Sequence, residues 1–236
     1  MFRLKIDQDL ARLTIDRPEA RNAIPASGWE ALAAKIDEAG SARLLVIEGA
    51  GGAFCAGADL GDFAAMAHDP AARTAFRTTM RAALDALRTL PIPTIAWIDG
   101  PCYGAGVALA MACDLRLAHP RAQFAITPAK LGISYPQEDV HRLVALVGTG
   151  QAARLLFTAQ PIDATEAAWI GLVDLIGGDG VIAAILANDR ESLATLKQAI
   201  ARAADGVRSD AALDARFDAL IAGDALAARL EALRRT

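Results

Sequence analysis

Two short runs of small residues carry the chemistry open to this chain. The first is Gly51-Gly52-Ala53-Phe54-Cys55-Ala56-Gly57-Ala58-Asp59-Leu60, and the second is Gly100-Pro101-Cys102-Tyr103-Gly104-Ala105-Gly106. Each follows an apolar run, Leu44-Leu45-Val46-Ile47 or Thr94-Ile95-Ala96-Trp97-Ile98, and each leads into a helix-like segment. Neither has the bulk to pack a core. Two such turns offer backbone N–H groups from two directions to one developing negative charge. That arrangement is an oxyanion hole, and it points to chemistry on an activated carbonyl. Taken singly, each turn reads equally as a tight βα connection.

The elements that must position these turns follow from hydrophobic periodicity. Leu4 to Ile15 reads as two short strands broken near Asp7-Gln8-Asp9. Arg17 to Pro25 is a turn-rich connector, and Trp29 to Ala39 has helical spacing. Leu44–Ile47 and Thr94–Ile98 are continuous apolar strands, of the kind buried on both faces. A helix is predicted from about Ala71 to Leu90, ended by Pro91 and Pro93. Val107 to Ala112 is apolar all round and reads as a short buried helix. Asp114–Ala118 and Gln123–Ile126 are strand-like, and Glu138 to Val147 is helical. A capping box at Asp163–Glu166 starts a further helix closed by Gly171. From Ser192 onward the chain is alanine-rich and helical, with Leu226, Leu230 and Leu233 on one face of the last helix. Strands alternating with helices, then helices alone, imply a parallel α/β core with a helical tail.

Composition narrows the class. The 236 residues suit one α/β domain with a short appendage, and 54% hydrophobic residues are ample for its core. The net charge is −4, with no basic block, which argues against nucleic acid as the main partner. No long apolar span suits a membrane, and Met1 to Ile6 lacks the apolar stretch of a signal peptide. Three cysteines, Cys55, Cys102 and Cys113, match no zinc spacing and read as small buried hydrophobes in a reducing cytoplasm. No metal or redox cofactor is indicated.

Several segments, in order, resemble the crotonase superfamily, the enoyl-CoA hydratases and isomerases. They are Arg17-Pro18-Glu19-Ala20-Arg21-Asn22-Ala23, Phe54 to Leu60, Gly104-Ala105-Gly106 with Ala108 to Asp114, Gln123-Phe124 leading to Leu131-Gly132, and Ala164 to Asp174. The resemblance implies a spiral of ββα units over residues 1–188 and a C-terminal helical region over 189–236. It implies that the tail serves assembly into a homotrimer, or a hexamer built of two trimers. The tail's apolar stripe needs a partner, or else folds back over the pocket. It also implies an acyl-CoA thioester as substrate, so that coenzyme A enters as part of the substrate. By position, the N–H groups of Ala58 and Ala105 would bind the thioester oxygen. Ala20, Ala56, Asp59 and Leu60 inherit contacts to coenzyme A, and Arg17 and Arg21 are candidates for its phosphates.

The pattern departs from the family where the chemistry is decided. Family hydratases carry two glutamates, at positions where this chain has Ala108 and Pro128, and a one-residue slip gives only Ala129. Neither residue exchanges a proton, which removes two groups of about 10²–10⁴-fold each. The loop after Leu131-Gly132 offers Glu138 as the first candidate acid and Asp139 as the second. One carboxylate with a raised pKa suffices for Δ3–Δ2 isomerisation of an enoyl thioester. Glu138 also reads as a helix-start acid paired with Arg142 at i, i+4. Weaker candidates are His68 and Asp62 near the expected wall of the acyl pocket, Tyr103 beside the second turn, and His141 one turn from Glu138. Asp114 reads as structural, and Phe63, Met66 and Phe76 read as acyl-site lining or ordinary core. The expectation is an enzyme that stabilises a thioester enolate and isomerises or hydrates an enoyl-CoA with non-standard acid and base. Its alternative is a catalytically silent acyl-CoA binding protein on the same scaffold.

Overall fold

The computed structural model describes residues 1–178 and 180–234, without the side chain of Leu233, so the place expected for it on the last helix lies outside the described residues. The chain runs β1 (Phe2–Asp7), β2 (Leu10–Ile15), α1 (Gly28–Ala39), β3 (Leu44–Gly49), α2 (Leu60–Met66), α3 (Pro70–Thr89), β4 (Thr94–Ile98), β5 (Pro101–Tyr103) and α4 (Ala105–Ala112). It continues through β6 (Leu115–Ala118), β7 (Gln123–Ala125), α5 (Gln137–Thr158), β8 (Ile162–Asp163), α6 (Ala164–Trp169) and β9 (Leu175–Ile176). Helices α7 (Val181–Leu186), α8 (Arg190–Ala204), α9 (Ala211–Ile221) and α10 (Asp224–Arg234) complete it.

Among the described residues the larger sheet has the order β1-β2-β3-β4-β6-β9, antiparallel only at β1–β2. In β2 the alternation of Ala11, Leu13 and Ile15 puts one face wholly inside. Strand β3 is buried on both faces. Leu45 and Ile47 join the main core, while Leu44 and Val46 meet Ile95 and Leu117 beneath α7. This double burial is why its sequence is a continuous apolar run.

The smaller sheet is β5-β7-β8, and two single-residue bridges, Cys55↔Cys102 and Ile24↔Ala58, carry the row further. The result is a spiral. Strand β3 passes to the Cys55–Ala58 segment and then α2–α3. Strand β4 passes to β5 and α4, and β6 to β7 and α5. Each turn places one strand in each sheet and then a helix. Helix α4 lies inside the spiral with Gly106 to Ala112 all buried, which accounts for its lack of a polar face.

Helix α5 extends eleven residues past the predicted Val147, because Gly148 at φ 75 breaks it and the chain resumes helix on the far side, to Thr158. Asp163 caps α6 by accepting from Glu166 N at 2.8 Å. Helix α8 is tied to the core by Lys197 Nζ, 2.9 Å from both Asp114 Oδ2 and Ile92 O. Ile200 and Phe217 are 70% and 63% exposed on the tail. No helix among the described residues is long and apolar enough to cross a membrane.

Candidate active site

The first turn is anchored from behind. Asn22 is fully buried; it accepts from Arg17 N at 2.9 Å and donates to Ala50 O at 2.8 Å and Ala53 O at 2.7 Å. Arg17 reaches forward, 2.5 Å from Asp59 Oδ2, and Asp59 caps α2 by accepting from Gly61 N at 3.0 Å. That ion pair holds the Asp59 carboxyl below the usual range, chiefly through the Arg17 hydrogen bond. Arg17 is thereby occupied within the fold, whereas Arg21 stays exposed.

The two turns touch. A Cβ on Gly57, at φ 103, would lie 2.8 Å from Tyr103 O and 3.1 Å from Ala105 N. A Cβ on Gly106 would lie 2.3 Å from Cys55 O. Only glycine permits this approach. Nearby N–H groups are used elsewhere: Ala56 N donates to Arg21 O, Asp59 N to Ile24 O and Gly104 N to Ala125 O. Among the described residues, the N–H groups of Ala58 and Ala105 have no acceptor.

Both open onto one cleft of about 130 Å³. Its floor is made of Ala56, Gly57, Ala58, Gly104, Ala105 and Ala108. Its walls are Leu60, Phe63, Phe76, Met80, Thr127, Pro128, Leu131, Ile133, Ser134, Tyr135, Pro136 and Asp139. Phe63 and Phe76 meet edge to face, with centroids 5.6 Å apart, and join α2 to α3 at the wall. No described residue of α8–α10 is in this lining, so the described part of the tail does not fold back over the cleft.

The structure brings Ala56, Ala58, Leu60 and Ala105 to the cleft and leaves Ala20 and Asp59 outside its lining. Glu138 is also outside it. Its side chain is 64% exposed, with Arg81 Nη1 at 3.8 Å. The next residue, Asp139, is fully buried and lines the cleft. A helix turns about 100° per residue, so the first turn of α5 aims one acid at solvent and the other inward. The expected Glu138–Arg142 pair is absent, because Arg142 turns instead to Asp85 on α3 at 3.1 Å and to Asp139 at 3.8 Å.

Asp139 Oδ1 accepts from Arg81 Nη1 at 3.1 Å, while its Oδ2 is buried with no partner. Burial pushes the Asp139 pKa up, and the arginines offset only part of that. Tyr135, also in the wall, donates from its hydroxyl to Gly104 O at 3.0 Å. Burial first, and the Asp139 charge second, push its phenol well above the usual value.

The weaker candidates fall elsewhere. His68 and His141 are exposed and outside the lining. Asp62 accepts from Ala26 N at 2.6 Å, and Tyr103 donates to Gln123 Oε1 at 3.1 Å. Asp114 accepts from Thr94 N and Oγ1 at 2.7 and 2.8 Å, a structural task. Phe63 and Phe76 line the cleft, but Met66 is buried outside its lining. Cys55 and Cys113 are buried thiols pushed up to about 12 by desolvation, as suits small hydrophobes. Asn22, Arg81 and Tyr135 went unassigned from sequence. Only Asn22, inside the Arg-Pro connector, carried a signal there.

The profile of the enoyl-CoA hydratase/isomerase family matches residues 5–231. A Mycobacterium tuberculosis protein carrying an enoyl-CoA hydratase name, echA6, is 40% identical over 176 residues, spanning 73% of this chain and 70% of its own. The crystal structure of an enoyl-CoA hydratase/isomerase family protein from Hyphomonas neptunium superposes with a TM-score of 0.91 at 34% identity, covering 99% of this chain and 94% of that one. That of an enoyl-CoA hydratase/carnithine racemase from Magnetospirillum magneticum gives 0.92 at 28% identity, covering 99% and 92%. This chain belongs to the enoyl-CoA hydratase/isomerase family, within the crotonase superfamily.

Proposed function

We propose that the protein isomerises an enoyl-CoA thioester between its Δ3 and Δ2 forms, with Asp139 as the single acid and base. The N–H groups of Ala58 and Ala105 receive the thioester oxygen. Each stabilises the enolate by roughly 3–4 kcal/mol, helped by the partial positive charge at the start of α4. Asp139 Oδ2 removes a proton from C2, the electron pair spreads over the thioester, and the same proton returns at C4. Charge and atoms balance without an oxidant or a metal, so coenzyme A enters only as part of the substrate. Ala20, Ala56, Asp59 and Leu60 take the coenzyme, as their positions in the family motif imply.

The observation that carries this reading is the unpartnered Asp139 Oδ2, buried in the same cleft as two unpartnered N–H groups. Hydration calls for two proton-handling groups, and Asp139 is the one acidic side chain among the described cleft-lining residues, which also include Ala108 and Pro128. The raised pKa suits a base that must later return its proton. Exposed apolar side chains such as Trp169 (78%) and Ile200 (70%) support assembly with further copies of the chain, which by the family resemblance is a trimer or a hexamer of two trimers.

The test is to incubate the protein with 3-hexenoyl-CoA and follow the rise of conjugated-thioester absorbance, with deuterium uptake at C2 and C4 read by NMR in D2O. Turnover with little solvent label, as one carboxylate carries the proton across, is expected. Tight binding of the thioester with no conjugation and no exchange would overturn the assignment.

A further inference from the structure

The two ends of one peptide group meet different partners in this cleft. The Gly104–Ala105 peptide presents its N–H to the cleft, and its carbonyl, Gly104 O, accepts from three donors. Val107 N lies at 3.0 Å and Ala108 N at 3.3 Å, both within the first turn of α4. The third donor is the Tyr135 hydroxyl at 3.0 Å, which comes from the loop before α5, 31 residues along the chain. Tyr135 is 8% exposed, and its hydroxyl needs a partner at that depth.

A trans peptide is a conjugated unit with its N–H and C=O pointing in opposite directions. A proton donated to the oxygen draws electron density from nitrogen and makes the N–H a stronger donor. Chains of hydrogen bonds reinforce one another in this way, by about a tenth to a third per bond. The carbonyl also fixes the plane of the peptide, and Gly104 at φ 52, ψ −119 has no side chain to fix it by.

From these contacts we propose that Tyr135 is a positioning residue for the oxyanion hole. Its hydroxyl polarises and orients the Gly104–Ala105 peptide, so that the Ala105 N–H binds the enolate oxygen more strongly. The assignment rests on the proposed role of the Ala105 N–H. It also gives one side chain a double connection. Tyr135 stands four residues before Asp139, so the loop that leads the base into the cleft also braces the donor.

Strengthening one oxyanion donor by a tenth to a third corresponds to about two- to eight-fold in rate. The experiment uses butanoyl-CoA labelled with 13C at the thioester carbonyl, bound to the full chain. The readouts are the carbonyl stretch and 13C shift of the bound probe, its Kd, and kcat and KM for 3-hexenoyl-CoA. Tyr135→Phe is expected to bind the probe within about two-fold of wild type, retain only part of the carbonyl shift, and lower kcat about two- to eight-fold with KM unchanged.

Replacing Tyr135 by 3,5-difluorotyrosine, a stronger donor of nearly the same shape, is expected to move the carbonyl shift beyond wild type. This second variant decides the matter if the phenylalanine variant does not fold. Ala105→Pro deletes the N–H at the first helical position, where proline is tolerated, and separates the two claims. A wild-type carbonyl shift in both Tyr135 variants, lost in Ala105→Pro, overturns the role of Tyr135 and leaves the oxyanion hole standing. A bound carbonyl in the wild-type protein that matches the probe in water, or a shift that survives Ala105→Pro, overturns the hole and the inference together.

Discussion

Asp139→Asn separates catalysis from architecture at this site. Asparagine keeps the shape and retains an oxygen for Arg81 Nη1, now 3.1 Å from Oδ1. Its amide takes the place of Oδ2 and cannot remove a proton. Loss of a positioned base costs about 10²–10⁴-fold in rate, or roughly 3–5 kcal/mol of barrier. The stability effect has the opposite tendency. Removing one partner of a buried ion pair usually destabilises, but here the Asp139 pKa is raised, with burial as the largest cause. A raised carboxyl pKa means that the ionised group is less favoured in the fold than in the unfolded chain, so a neutral isostere relieves that term. The variant is therefore expected to lose isomerase turnover, keep thioester affinity and unfold at no lower urea concentration than wild type. The linked pH dependence has a definite sign. Between the ordinary value of 3.8 and the raised folded pKa, the native state holds the proton and the unfolded state does not. This group's contribution to stability falls as pH rises through that window and is level above it, while activity rises through the folded pKa as the base ionises. Wild-type turnover in Asp139→Asn, or a loss of turnover matched by a loss of binding, would refute the reasoning.

Glu138→Gln is expected to leave kcat within about two-fold of wild type in the same assay, because the side chain is 64% exposed and outside the cleft. Crotonyl-CoA is expected to keep its conjugated absorbance in the presence of the protein, since a second acidic group for water addition is missing from the described cleft lining. Gly57→Ala places a Cβ 2.8 Å from Tyr103 O at φ 103; the strain of about 1–3 kcal/mol should appear as a lower urea midpoint and weaker thioester binding by calorimetry. Asn22→Ala removes three hydrogen bonds at a fully buried residue. At about 1 kcal/mol each, a loss of about 3 kcal/mol is expected in urea denaturation.

Much of the scaffold is legible in the chain because burial writes itself locally. Strands β3 and β4 are buried on both faces and therefore read as unbroken apolar runs, and α4 lacks a polar face because it lies inside the spiral. Strands β8 and β9 are two residues each, too short for any period to register. The break at Gly148 was equally silent, since a lone glycine in a helical pattern does not announce whether the helix stops or resumes.

At the site, the chain alone determined the small residues of both turns and the apolar Ala108 and Pro128. Only the folded structure shows that Asp139 and not Glu138 lines the cleft, because that depends on where α5 begins and on Arg81, 58 residues away in sequence from Asp139. It alone also decided that the N–H groups of Ala58 and Ala105 stay unpartnered while Asp59 N and Gly104 N bond. Hydrogen-bond satisfaction and burial are properties of contacts between distant segments, and residue types along the chain do not encode which of those contacts close.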